Sequence, residues 1–108
     1  MGQSVTREIA DAASVPIHSV GRLEALTARS APAFIEASAT WARRRIVAVE
    51  GFKTVDGGTY QPAMDWILDL SAMADPAACR EEAQAFVAEA PDDLLFAFDI
   101  EQLPDPAT

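Results

Sequence analysis

Apolar residues recur along much of this chain at intervals of three and four, the period of an amphipathic helix. Val5, Ile9 and Ala12 align in this way ahead of Val15-Pro16, with Ser4 or Thr6 placed as a cap, so a short helix is expected over 5–13. Val20, Leu23 and Leu26 follow behind Ser19 and predict a second helix over 19–30. Pro32 interrupts the run. Proline is accepted in a first turn but not in a helix interior, so Ser30 or Ala31 is expected to cap a third helix over 32–50. On it Phe34, Ile35, Ser38, Trp41, Ala42, Arg45, Ile46 and Val49 fall on one face. Pro62 opens a fourth helix over 62–73, with Trp66, Ile67, Leu70 and Met73 aligned. Asp75-Pro76 joins an acidic N-cap to a proline at the first helical position and starts a fifth over 76–90, burying Cys79, Ala83, Phe86 and Val87. The pattern therefore predicts a mainly α protein: a small bundle of amphipathic helices forming one domain over 1–103. Residues 104–108, which include Pro104 and Pro106, read as a frayed tail.

Two stretches admit another reading. Ile46-Val47-Ala48-Val49 and Phe52-Lys53-Thr54-Val55 suit strands, the second running into the turn signal Asp56-Gly57-Gly58. Leu94-Leu95-Phe96-Ala97-Phe98-Asp99-Ile100 suits a strand as well as a helix. The alternative architecture is a small α+β fold with a hairpin near 46–60 and a strand near 94–101.

Composition narrows the energetics. Half of the 108 residues are hydrophobic, but alanine is the largest share, so the core rests on a limited set of large side chains. A modest core leaves little surplus over chain entropy, and self-association is expected to complete it. Charge changes the picture further. Residues 1–50 carry five acids and six arginines, whereas 51–108 carry twelve acids against Lys53 and Arg80, within a total of −9. An acidic half repels phosphate, which argues against direct nucleic-acid binding and fits a basic protein partner. With Cys79 as the sole cysteine there is no internal disulfide. The segment 1–14 has charges throughout and no apolar core of a signal peptide, and no apolar run approaches a membrane span, so a cytoplasmic location is expected.

Candidate chemistry is sparse. His18 is the only histidine, in the loop expected to lead into a helix, without a carboxylate that the sequence can pair with it. Cys79 sits near the N-terminus of an alanine-rich helix and reads as a small buried side chain. Asp65 and Asp69 stand one turn apart on the expected fourth helix, yet no histidine joins them in a metal motif. Asp56-Gly57-Gly58 lacks the spacing of a calcium loop. Arg43-Arg44-Arg45, beside Trp41, is the one basic cluster and is expected to pair with the acidic half. No enzyme signature, cofactor motif or metal site emerges, and a non-catalytic binding protein is the expectation.

Leu23-Glu24-Ala25-Leu26-Thr27, Trp41-Ala42-Arg43-Arg44, and Asp75-Pro76-Ala77 followed by Ala83-Gln84-Ala85-Phe86 together resemble, over about residues 20–90, the order of elements in the phasin family of polyhydroxyalkanoate granule proteins. The resemblance implies a helical, self-associating coat of polyester storage granules, adsorbed through an apolar helix face bearing Leu23, Leu26, Phe34 and Trp41, with no catalytic residues. Pro32, Gly57-Gly58, Pro62 and Pro91 depart from the long uninterrupted helices of that family. The alternative is an acidic inhibitor or adaptor, of the phage-encoded or nucleic-acid-mimicking kind. It would grip a basic partner through Asp65, Asp69, Glu81, Glu82, Glu89, Asp92 and Asp93.

Overall fold

The computed structural model describes residues 5–20, 23–40, 44–55 and 59–102. Along the chain run α1 (Val5–Ala13), β1 (His18–Val20), β2 (Leu23–Thr27), α2 (Ala31–Ala37) and a single 3-10 turn (Ser38–Thr40). They are followed by β3 (Arg44–Val55), β4 (Thr59–Asp69), α3 (Pro76–Glu89) and β5 (Leu95–Gln102). The strands form one antiparallel sheet in the order β1-β2-β5-β3-β4. The fold is thus α+β, and the mainly α bundle is overturned.

The helices expected over 5–13 and 76–90 are present as α1 and α3. The one expected over 32–50 stops at Ala37, and its second half is β3. The stretches 19–30 and 62–73 are largely strand, as β1 and β2 and as β4. The hairpin near 46–60 and the strand near 94–101 correspond to the β3–β4 pair and to β5. The frayed tail expected over 104–108 lies outside the described residues.

Alternation within β5 shows how the layers are built. Phe96 and Phe98 point into a large core with Leu26, Ile46, Val49, Ile9, Phe34, Ile35, Cys79, Ala83 and Val87, which joins the three helices to one face of the sheet. Phe34 and Phe98 stack with ring centroids 4.8 Å apart, and Phe86 bridges Trp66 and Phe96. Leu95 and Ala97 point the other way, where Ala25 and Phe52 join Leu95 in a small second cluster. Among the described elements no helix covers that second face.

Local chemistry sets the boundaries. α1 ends in a Schellman motif: Ser14 takes φ 58°, its N–H donates to the Asp11 carbonyl at 3.2 Å, and the Val15 N–H donates to the Ala10 carbonyl at 3.0 Å. At α3 the Asp75 carboxylate accepts from the Ala78 N–H at 3.3 Å, with Pro76 next in line, as the sequence predicts. Gly51 sits at a register shift in the β3–β4 pairing. A Cβ there would lie 3.1 Å from Trp66 Cβ and 3.3 Å from Leu94 Cδ1, so a side chain at this close crossing would push Trp66 and Leu94 back by a few tenths of an ångström.

Candidate functional site

The strand assignment disperses the expected apolar face. Leu23 is exposed on the uncovered face of the sheet, while Leu26 and Phe34 are wholly buried in the helix-covered core. A strand sends residues three apart to opposite sides, so Leu23 and Leu26 cannot share a surface. Trp41 lies outside the described residues.

The seven acidic candidates all stand exposed, and none is in an ion pair within the described residues. Asp65 and Asp69 belong to β4, where four residues span about 13 Å instead of one helical turn, too far to share an ion. The Asp69 carboxylate accepts from the Ser71 hydroxyl at 2.6 Å and from its N–H at 2.9 Å, and these bonds hold its pKa below the ordinary value. Glu81, Glu82 and Glu89 lie on α3, and Asp92 and Asp93 in the loop that follows it. Glu82 and Glu89 flank Phe86 at helical spacing, and the Phe86 ring meets Trp66 of β4 at 5.6 Å, so both carboxylates share the β4 side of α3. Glu81, one position earlier than Glu82, turns away from that side.

Three of the described cations, Arg7, Arg44 and Arg45, are held in ion pairs elsewhere, while Arg29, Lys53 and Arg80 are in none among the described residues. Arg7 pairs with Glu24 at 3.0 Å and Arg44 with Glu8 at 3.1 Å. Arg45 pairs with Glu101 at 3.0 Å and also donates to the carbonyls of Ser71 and Met73. Of the basic cluster, Arg45 therefore reaches the acidic half as expected, Arg44 reaches Glu8 of the first half, and Arg43 and Trp41 lie outside the described residues.

One feature that the sequence reading missed lies along β4. This strand is an edge of the sheet and carries Tyr60, Met64 and Ile67 exposed, Met64 by 76%. Beside it an open notch of about 290 Å³ is lined by Lys53, Ala63, Met64, Asp65, Trp66, Pro91, Asp93 and Leu94. Ala63, Trp66, Pro91 and Leu94 give it apolar walls, and Asp65 and Asp93 place two carboxylates on it. Pro62 was the available signal, because a proline inside a strand-forming run marks an edge.

The remaining candidates are apart. His18 lies in β1, at the opposite edge of the sheet from β4. Cys79 is fully buried in α3, its thiol donates to the Met73 carbonyl at 3.3 Å, and burial pushes its pKa up, which disfavours the nucleophilic thiolate. Asp56, Gly57 and Gly58 lie outside the described residues. Among the described residues no three His, Cys, Asp or Glu side chains converge, and no helix is long and apolar enough to cross a membrane. Comparison with protein-family models, with curated proteins and with solved structures found no match to this chain.

Proposed function

We propose that this protein is a non-catalytic, acidic binding module that engages a basic partner protein. The observation that carries this reading is the segregation of charge. Arg7, Arg44 and Arg45 are each bound to a carboxylate, whereas Asp65, Glu82, Glu89 and Asp93 lie along β4 and the β4 side of α3 in no ion pair among the described residues, with Lys53 the one cation lining the notch beside Asp65 and Asp93. Exposed charges that do nothing for the fold are available for recognition, and they act over the screening distance of the medium. A granule-coat role needs an apolar helix face instead, and Leu26 and Phe34 of that expected face are spent in the core.

The test is affinity capture from a cell lysate by the immobilised chain and by its Asp65→Asn/Glu82→Gln/Glu89→Gln/Asp93→Asn variant. The expected result is a basic protein held by the unaltered chain, released between about 0.1 and 0.5 M salt, and absent from the variant. Identical capture by both would overturn the reading. So would retention of the chain on polyhydroxybutyrate granules at high salt, which would favour the coat role that the phasin resemblance implies.

A further inference from the structure

We propose that the segment of the partner that docks here is an extended, arginine- or lysine-bearing strand, added to the free edge of β4 with one basic side chain seated in the Asp65–Asp93 notch. This rests on the acidic-module reading and specifies its contact.

An edge strand exposes a row of backbone N–H and C=O groups to any chain that comes alongside. The sheet has two such edges. β1 has three residues, too few to hold a partner, while β4 has 11. Edges are commonly guarded by proline, by charged residues and lysine above all, by bulges or by shortness. Pro62 guards the first part of β4, and the register shift opposite Gly51 distorts its pairing over 63–66, but from Ala63 to Asp69 there is neither proline nor lysine, and Met64 and Ile67 stand exposed. The only charges on that stretch are Asp65 and Asp69.

Those charges choose the occupant. A second copy would bring two chains of charge −9 together with Asp65 and Asp69 of both lying along one seam, and acidic strands would meet the same repulsion. A basic strand meets attraction. The notch has the shape of the interaction: Ala63, Trp66, Pro91 and Leu94 offer an apolar bed for the methylene stem of arginine or lysine. Asp65 and Asp93 lie where its charged head arrives. Lys53 also lines the notch, but it forms no ion pair with either carboxylate, so two negative charges face one positive. Trp66 forms part of the wall and reports occupancy.

The probe is a synthetic peptide of about nine residues alternating arginine and valine, a length that spans the free part of β4. Its binding is followed by the change in intrinsic tryptophan fluorescence, to which Trp41 also contributes, and by calorimetry. Three further reagents accompany it: the same peptide N-methylated at alternate amides, the Asp65→Asn/Asp93→Asn chain, and a Glu36→Gln chain altered at an exposed carboxylate of α2. The expected result is binding that falls at least about tenfold on N-methylation and on Asp65→Asn/Asp93→Asn, and that Glu36→Gln leaves unchanged. Equal binding of the N-methylated peptide, or a loss in Glu36→Gln as large as in the double variant, would overturn the strand addition while leaving a diffuse acidic surface in place. A chain that sediments as a dimer and becomes monomeric on Met64→Lys would overturn it too, because the edge would then be filled by a second copy. No binding by the peptide, together with lysate capture that survives in the four-fold variant, would remove both readings.

Discussion

The helix-covered side of the sheet and the β4 flank are built from the same kinds of residue but use them in opposite ways. On the covered side Phe34, Phe98 and Phe96 lie within one continuous core, and the arginines next to it are tied to carboxylates or carbonyls. On the flank Met64 stands 76% exposed, Ile67 is exposed, and Asp65, Glu82, Glu89 and Asp93 are in no ion pair among the described residues. The difference teaches that one side pays for folding and the other is left available: its groups satisfy nothing inside the molecule. Stability and binding should therefore separate cleanly between the two.

The largest effect is expected from emptying the covered side. Phe34→Ala removes a fully buried ring that stacks on Phe98 and should lower the unfolding free energy by about 3–5 kcal/mol. Met64→Ala should stay within about 0.5 kcal/mol of the unaltered chain. Chemical denaturation of the two variants measures both. A comparable loss at Met64 would break the comparison, since it would mean that the β4 flank is also part of the folding core.

Charge gives a smaller and sharper contrast. The Arg45 side chain is 11% exposed, and it links β3 to Glu101 of β5 and to the carbonyls that precede α3. Arg45→Met should cost about 1–3 kcal/mol, mostly through carbonyls left without a donor. Glu82→Gln, on the flank, should be neutral or slightly stabilising because it relieves repulsion within an acidic surface. Thermal unfolding at low and moderate salt separates them. The Glu82→Gln gain should shrink as salt rises, and a loss there would mean that the flank carboxylates have partners in the fold.

How much of this was legible in the sequence depends on which residues are asked. α1 and α3 were legible because local signals agree with the outcome: the Asp75 side chain and Pro76 favour a helix start by their own local chemistry, and Val5 and Ile9 hold one face. β3 was misread because its pairing with β5 shifts register between Ile46 and Ala48. That bulge turns Ile46 and Val49 to the same face although they are three apart, which copies the spacing of a helix. β4 was misread for a related reason. Trp66, Ile67, Leu70 and Met73 fit a helical face, while in the structure Trp66 and Leu68 pack on the core and Ile67 faces out. Pro62 suits a helix start as well as an edge strand, and only the sheet decides between them. The acidic residues were legible as exposed charges. The notch was not, because Asp65 and Asp93 are brought together by the packing of β4 against the loop before β5.

The smallest expected effect lies at the end of α1, away from both sides of the comparison, and so provides its control. Ser14 holds φ 58°, a conformation in which its Cβ is crowded and which glycine adopts freely. Its side chain is exposed, and the hydrogen bonds that close the helix, to Asp11 and Ala10, are made by backbone N–H groups that glycine would retain. Ser14→Gly should therefore relieve strain at the cost of added freedom in the unfolded chain, a net gain of about 0.5–1 kcal/mol and a rise of a few degrees in melting temperature. Ser14→Val, with a branched side chain in the same conformation, should lower it. Because Ser14 touches neither the covered core nor β4, the glycine variant should raise stability with no change in peptide binding. A change in binding would mean that stability and recognition are coupled after all, and that the β4 flank responds to the fold as a whole.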